Sequence, residues 1–369
     1  MQVSSKLDKM VPVTVLTGFL GAGKTTLLKR ILTENHGQRI AVIENEFGPE
    51  SIDNDLLVQE TSEQIIELNN GCVCCTVRGD LMDTLNDLRK RRQQGELKFD
   101  RVIIETTGMA NPGPVCQTFF MDDDIAEYYR LDAVITIVDA KHGMETLDRQ
   151  PESQKQVGFA DRLLISKRDL VNEADYEALR HRLVRINPRA HVTPVNFGET
   201  DLKAILDISG FNLNTILDID PEFLADEHAD AAHAHDHSHE HHHHDDDDDG
   251  HHDGCGPGCH HHDHHHHHAH DDEISAFVFR ANKPFDPERL EDFLGGIVQV
   301  YGPDLLRYKG ILYIKGSNRR LIFQGVHMMM GAEAGAPWKS SEKPNTKLIF
   351  IGRKLPQEIF TRGLEQCLV

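Results

Sequence analysis

The chain has 369 residues, of which 39% are hydrophobic, and its formal net charge is −21. This length exceeds one ordinary hydrophobic core and predicts two domains, whereas no apolar run approaches the roughly 20 residues of a membrane-spanning helix. Residues 225–273 hold fifteen Asp or Glu and no Lys or Arg, which leaves −6 for the rest of the chain. The remainder has no clustered basic stripe, so we expect no nucleic-acid partner. The polar N-terminus lacks a secretory signal, so we expect a cytoplasmic protein with no membrane partner.

Short apolar segments alternate with amphipathic ones from residue 11 to about residue 197. This alternation is typical of an α/β domain with a mostly parallel sheet covered by helices on both faces. The predicted strands are residues 13–17, 40–44, 101–105, 133–139, 162–166 and 192–197. The clearest predicted helices are residues 24–34, 80–92 and 175–186.

After Pro221 the composition changes to runs of His and Asp, with almost no residues that could form a hydrophobic core. We therefore predict a first domain at residues 1–220, a disordered insert at 221–273 and a small α+β C-terminal domain at 274–369. Within the last domain, the predicted strands are residues 276–280, 311–315, 320–324 and 347–351, and the predicted helices are residues 287–299 and 356–367.

The segment Gly-Phe-Leu-Gly-Ala-Gly-Lys-Thr, residues 18–25, matches the Walker A pattern between a predicted strand and a predicted helix. The backbone N–H groups of such a loop surround phosphate oxygens, while Lys24 neutralises the β and γ phosphates and Thr25 binds Mg2+. The alternative is a glycine-rich turn that binds nothing. The predicted nucleotide-binding residues of this segment are Gly18, Gly21, Ala22, Gly23, Lys24, Thr25 and Thr26.

A second motif, Glu-Thr-Thr-Gly at residues 105–108, follows the predicted strand 101–105. A carboxylate at this strand end can hold Mg2+ or its water, and Gly108 would let the backbone approach the γ phosphate. We therefore predict Lys24, Thr25 and Glu105 as the catalytic residues. The alternative is an acid that caps a buried strand.

A third motif, Ser-Lys-Arg-Asp at residues 166–169, bears on the choice of base. Asp169 can accept two hydrogen bonds from guanine, whereas adenine offers no matching pair of donors. GTP is therefore the predicted nucleotide, with Lys167 and Asp169 at the base. Ser166 stands where GTPases usually carry Asn, and a solvated turn is the alternative.

Gly-Cys-Val-Cys-Cys at residues 71–75 places three thiols within four residues. Three thiolates and one further ligand complete a tetrahedral Zn2+ site, so we predict Cys72, Cys74 and Cys75 as metal ligands. Ligand softness only biases the choice of metal, which leaves Co2+ and Ni2+ open. The alternatives are a redox pair or buried structural cysteines, although adjacent Cys74 and Cys75 have poor geometry for a disulfide.

The insert contains twenty of the twenty-five histidines of the chain, between His228 and His270. Imidazole binds several divalent metals, and many weak sites on one segment would raise the local metal concentration. The alternative is a low-complexity solubilising linker. The predicted reservoir ligands are His241, His242, His243, His244, Cys255, Cys259, His264, His265, His266, His267 and His268.

Taken together, these motifs, the His-rich stretch and the small C-terminal domain resemble the CobW-like family of P-loop GTPases, in its zinc or cobalt metallochaperone branch. The resemblance implies a P-loop GTPase domain, a CobW-type C-terminal domain and weak GTP hydrolysis coupled to metal transfer to a client metalloprotein. It also implies a first switch region at residues 44–48 and 52–53, with Asp53 near Mg2+. Pro49 and Glu50 between them depart from the family's Gly-Glu order. A homodimer that depends on nucleotide or metal is a further implication.

The predicted function is a GTP-hydrolysing metallochaperone, in which GTP assembles the cysteine site and hydrolysis loosens it. A cytoplasmic zinc or nickel buffer with a regulatory nucleotide site is the main alternative. An ATP-dependent, kinase-like enzyme is the third interpretation of the same motifs.

Overall fold

A computed structural model of the chain describes residues 10–34, 37–44, 64–67, 77–202, 205–211, 272–340 and 342–369. Several predicted metal ligands lie outside these residues, so their assignment stays a prediction. They are Asp53, Cys72, Cys74, Cys75 and the His and Cys residues of the insert. Among the described residues, no helix has the length and hydropathy needed to cross a membrane.

Seven parallel strands of the described chain form the first sheet, in the order β3-β2-β4-β1-β5-β6-β7. The predicted mostly parallel sheet is confirmed. The prediction missed β3, which has only four residues, and it ended β7 two residues too late. The strands are Val11–Gly18 (β1), Ile40–Glu44 (β2), Gln64–Glu67 (β3), Arg101–Glu105 (β4), Tyr129–Asp139 (β5), Arg162–Ser166 (β6) and His191–Val195 (β7).

Helices cover both faces of this sheet. Alternate residues of β5 point to opposite faces, so Ile135 and Ile137 pack with α1, whereas Val134 and Val138 join the core formed with α2 to α7. Burial on both faces explains why the strands are continuous apolar runs. The helices are Lys24–Thr33 (α1), Val77–Gln93 (α2), Gly113–Met121 (α3), Asp123–Tyr128 (α4), Gly143–Arg149 (α5), Pro151–Phe159 (α6) and Glu173–Ile186 (α7).

The C-terminal region forms an antiparallel five-stranded sheet, in the order β11-β10-β9-β12-β8. Phe277, Phe350 and Phe360 lie at the centre of a core between this sheet and its two helices, which confirms the predicted α+β class. The elements are Ile274–Ala281 (β8), Pro287–Tyr301 (α8), Leu305–Leu312 (β9), Arg319–Val326 (β10), Met329–Pro337 (β11), Thr346–Arg353 (β12) and Gln357–Gln366 (α9).

Two strands of this sheet differ from the prediction. The predicted strand 311–315 covers only the last two residues of β9, because Arg307 and Lys309 interrupt the apolar pattern. Both side chains are nevertheless buried, and Arg307 donates to the Phe159 carbonyl oxygen of the first domain. The prediction missed β11, whose Gly and Ala residues have little strand propensity.

The two regions share a core, since Ile274, Leu306 and Ile351 pack with the α2 to α7 side of the first sheet. Asp161 lies buried at this junction, where its carboxylate accepts from Arg189 over 2.7 Å and from Arg307 over 3.1 Å. Burial opposes its ionisation, but the two guanidinium groups outweigh burial and hold the pKa of Asp161 below its ordinary value. The predicted domain boundaries at residues 220 and 273 stay predictions.

Candidate nucleotide-binding site

The Walker A segment forms the turn from β1 into α1 at the carboxyl edge of the parallel sheet. Its first glycine, Gly18, pairs with Ile137 of β5, and a Cβ there would lie 2.3 Å from the Ile137 carbonyl oxygen. Glycine is therefore required where the chain leaves the sheet. Gly21 and Gly23 lie in the turn with positive φ, and Ala22 between them is buried.

The ammonium of Lys24 is held inside this loop. Lys24 is buried, and its Nζ donates to the carbonyl oxygens of Gly18 over 2.9 Å and Phe19 over 3.4 Å. The charge therefore lies at the N-terminus of α1, where the helix dipole also favours an anion. Exposed Thr26 follows in the first turn of α1.

Thr25 and Glu105 are 80 residues apart in sequence and meet in the structure. Since β4 pairs with β1, its last residue lies beside the start of α1, and Thr25 Oγ1 donates to Glu105 Oε1 over 3.3 Å. Thr106 fixes the strand end, because its hydroxyl donates to Thr17 over 2.8 Å and its N–H donates to the Leu16 carbonyl. The structure thus brings Lys24, Thr25 and Glu105 together, and their catalytic role stays a prediction.

The oxygen pair of Thr25 and Glu105 fits the chemistry of Mg2+, which binds through one or two protein oxygens and completes its shell with phosphate and water. No group of three or more His, Cys, Asp or Glu that could hold a metal occurs within the described ranges. This observation does not conflict with a Mg2+ site of hydroxyl, carboxylate and phosphate oxygens.

The loop after β4 lies directly against the Walker A loop. A Cβ on Gly108 would lie 2.5 Å from the Leu20 backbone nitrogen, so glycine permits the contact. Gln156 of α6 fastens the loop, donating from Nε2 to the carbonyl oxygens of Gly108 over 3.1 Å and Ala110 over 3.0 Å. Sequence reasoning missed Gln156, because a polar helix segment normally indicates exposure, whereas this side chain is buried.

The Ser-Lys-Arg-Asp motif lies at the end of β6, next to the same loop. Ser166 Oγ donates to the Ala22 carbonyl oxygen over 2.6 Å, so serine at this position ties the segment to the Walker A loop. Lys167 has a left-handed φ of 57°, and its Nζ contacts Asp139 over 2.7 Å. Asp169 is exposed in a short 3-10 helix, Arg168–Leu170.

Asp139 is a further residue that the sequence analysis missed. Its carboxylate contacts Lys167 and also accepts from the backbone N–H of Lys141 over 2.8 Å. The available signal was an apolar strand that ends in an acid, as β4 does at Glu105. A cavity of about 350 Å3 opens beside the phosphate loop and is lined by Leu20, Asp139, Lys167 and residues of α5 and α6.

Comparison with known proteins agrees with this architecture. Residues 12–194 match the CobW/HypB/UreG nucleotide-binding domain, and residues 274–368 match the cobalamin synthesis protein CobW C-terminal domain. The chain is 40% identical over 351 residues to the zinc chaperone YjiA of Escherichia coli, an alignment that covers 94% of this chain and 96% of that protein. It is 39% identical over 223 residues to the zinc-regulated GTPase metalloprotein activator 1 of Schizosaccharomyces pombe, covering 57% of this chain and 52% of that protein.

A solved structure shares the whole fold. The crystal structure of Zn(II)-bound YjiA GTPase from E. coli matches with a TM-score of 0.72 and 34% identity, over 98% of this chain and 99% of that one. The resemblance inferred from the motifs is thus confirmed, and the chain belongs to the CobW family of P-loop proteins.

Proposed function

We propose that this chain is a GTP-hydrolysing metallochaperone, which binds Zn2+ and transfers it to client metalloproteins. The observation that carries the proposal is the convergence of Lys24 and the Thr25–Glu105 pair on one loop. That loop belongs to a chain matched along 94% of its length by a relative named a zinc chaperone.

The nucleotide reaction needs little beyond positioning and charge. Lys24 would turn from the loop carbonyls to the β and γ phosphates, and the N–H groups of residues 21–26 would surround them. Thr25 and Glu105 would hold Mg2+, with Asp53 as a further candidate, and the ion would neutralise phosphate charge. Asp169 would accept from guanine while Lys167 lies along the base.

The metal cargo would bind at Cys72, Cys74 and Cys75, which precede α2 in the chain. We place the protein in the cytoplasm, where thiols stay reduced and able to bind metal. Zn2+ suits three thiolates, and Co2+ or Ni2+ would bind the same donors. The histidines of the insert would supply a local store of metal for this site.

We propose that the loop after β4 couples the nucleotide to the C-terminal region. Gly108 abuts the phosphate loop, and Gln156 links the same segment to α6, which packs on the C-terminal region. Hydrolysis that shifts this loop would also change the contacts of α6 with the C-terminal region. A client or a second copy of the chain bound there would then meet an altered surface. If GTP tightens metal binding, metal must tighten GTP binding by the same factor.

The test is a zinc competition titration of the natural chain with Mg2+ and either a non-hydrolysable GTP analogue or GDP. The insert contributes its weak sites in both nucleotide states, so the difference between states reports the cysteine site. We expect tighter zinc binding with the GTP analogue in the natural chain and no difference in Cys74→Ala. Cys367→Ser is the matched control, because Cys367 is buried in the C-terminal core and its Sγ donates to the Gly363 carbonyl.

Equal zinc affinity in the two nucleotide states would overturn the coupled mechanism and favour a metal buffer. Deletion of residues 228–270 separates these functions further. A metallochaperone keeps zinc-dependent GTP hydrolysis without the insert, whereas a buffer loses most of its capacity.

A further inference from the structure

Phe197 is the most exposed large hydrophobic side chain in the described part of the molecule, at 81%. Its φ of 49° lies in the left-handed region, which an aromatic residue rarely adopts. A ring this exposed gains little from burial within the described chain. A backbone conformation of this kind persists only where its surroundings impose it, and such positions cluster at functional sites.

The surroundings of Phe197 are well defined. Asn196 and Glu199 close a tight turn after β7, in which the Glu199 N–H donates to the Asn196 carbonyl over 2.7 Å. Gly198 packs on the first turns of α1, since a Cβ there would lie 3.2 Å from the Thr26 carbonyl oxygen. A 3.5 Å ion pair from Arg30 to Glu199 supports the same contact.

The turn also lies beside the base motif. In the parallel pairing of β6 with β7, Val195 is the partner of Ser166, so the chain that follows Val195 runs next to residues 167–169. Phe197 therefore follows β7 at the same edge of the sheet where Lys167 and Asp169 follow β6, and its neighbour Gly198 contacts α1. The ring is presented at the edge where the proposed base would lie.

We infer that Phe197 is a base-stacking residue, whose ring covers one face of the purine held by Asp169. This inference rests on the proposed function, because it assumes that a nucleotide occupies the loop. The turn presents the ring before the nucleotide arrives, so little ordering is needed on binding. A purine that covers the ring removes apolar surface of both partners from water.

Stacking and hydrogen bonding make different demands on the base. Every base has a π face, so stacking strengthens binding without distinguishing one base from another. Asp169 reads identity through donors that guanine has and adenine lacks. The two residues should therefore have separable effects on affinity and on selectivity.

The experiment measures Kd for GDP and for ADP, both with Mg2+, by calorimetric titration of the full chain and its variants. Phe197→Ala is expected to weaken both nucleotides roughly tenfold, within the range for loss of one base–aromatic stack. The ratio of the two Kd values should stay constant. Phe197→Tyr should restore both affinities, and Asp169→Ala should change the ratio instead.

Two further variants separate the ring from the backbone conformation and from exposed apolar surface in general. Phe197→Gly removes the ring but relieves the backbone, so it must bind as weakly as Phe197→Ala if the ring matters. Val300→Ala truncates another highly exposed apolar residue, on α8, and should bind GDP like the natural chain.

Equal GDP affinity in Phe197→Ala and the natural chain would overturn the inference and leave the proposed function standing. Recovery of affinity in Phe197→Gly would also overturn it, since only loop conformation would then matter. A natural chain that bound neither GDP nor GTP would instead remove the proposed function, and this inference with it.

Discussion

At position 108, the close contact between two loops depends on the absence of a Cβ atom. The backbone of the loop after β4 lies against the backbone of the phosphate loop, and a Cβ on Gly108 would come within 2.5 Å of the Leu20 nitrogen and 2.8 Å of its Cα. Both neighbours are main-chain atoms, so neither can move aside cheaply. The sequence suggested close approach at this glycine, and the structure identifies the partner as the phosphate loop itself.

We predict that Gly108→Ala lowers kcat for GTP hydrolysis at least tenfold, because even a small displacement of reacting groups costs about this much or more. Gly79→Ala is the matched control. Gly79 lies in α2 with open space around it, so added alanine should be neutral or slightly stabilising. Steady-state GTP hydrolysis measures kcat of both variants, and thermal unfolding measures their stability. Unchanged kcat in Gly108→Ala would contradict the assigned contact.

At the scale of elements, α6 connects the nucleotide site with the C-terminal sheet. Gln154 and Gln156 are both buried in this short helix. Because they are two residues apart, their side chains point to opposite sides of it. Gln156 donates to the loop after β4, whereas Gln154 accepts from the Ile274 N–H of β8 over 3.1 Å and donates to the Leu147 carbonyl. One helix therefore carries contacts to both functional regions.

We expect Gln156→Leu and Gln154→Leu to destabilise the fold similarly, by about 1–3 kcal/mol, because each leaves buried polar backbone groups without a partner. Only Gln156→Leu should lower GTP hydrolysis, since only that side chain holds the loop beside the phosphates. Urea unfolding and steady-state hydrolysis, measured on the same samples, separate the two effects. Equal losses of activity would argue against a specific role for Gln156.

At the scale of the whole molecule, a buried charged junction joins the two regions beside the apolar core that they share. Asp161 accepts from Arg189 of the first region and Arg307 of the second, and also from the Val134 N–H over 2.8 Å. Since the pKa of Asp161 is lowered in the folded state, its carboxylate contributes stability above the ordinary carboxyl pKa. This contribution is lost as the pH falls through the folded-state pKa.

Asp161→Asn should therefore lower the free energy of unfolding at pH 7 by about 3–5 kcal/mol, the usual cost of breaking a buried pair. The difference in the free energy of unfolding between this variant and the natural chain should narrow as the pH falls below the ordinary carboxyl pKa. Asp100→Asn is the control, because Asp100 pairs with Arg39 at the surface, where both side chains are at least 41% exposed and the loss should be far smaller. Urea titrations at pH 7 and at about pH 2.5, which is below the ordinary carboxyl pKa, measure both variants. Similar losses of unfolding free energy in Asp161→Asn and Asp100→Asn would show that the buried junction stabilises the fold no more than a surface ion pair does.

Contiguous motifs and periodic patterns carried most of what could be predicted. Lys24 and Thr25 follow from one unbroken Walker A segment, and the α/β class follows from the alternation of strands and helices, because both depend on residues close in sequence. Glu105 was predictable because an acid that ends a buried strand must emerge at the same edge of a parallel sheet.

Other features depend on the order of the strands and on contacts across the whole chain. Ser166 meets Ala22 across 144 residues, Gln156 meets Gly108 across 48, and Arg307 meets Asp161 across 146. No local pattern indicates such pairs, since each polar group is satisfied only by a partner that the fold brings to it. The sequence by itself determined the phosphate loop and the class of each domain, because both depend on residues close in sequence. The tertiary structure alone decided where Gln156, Asp161 and Phe197 lie, because strand order and long-range contacts place them.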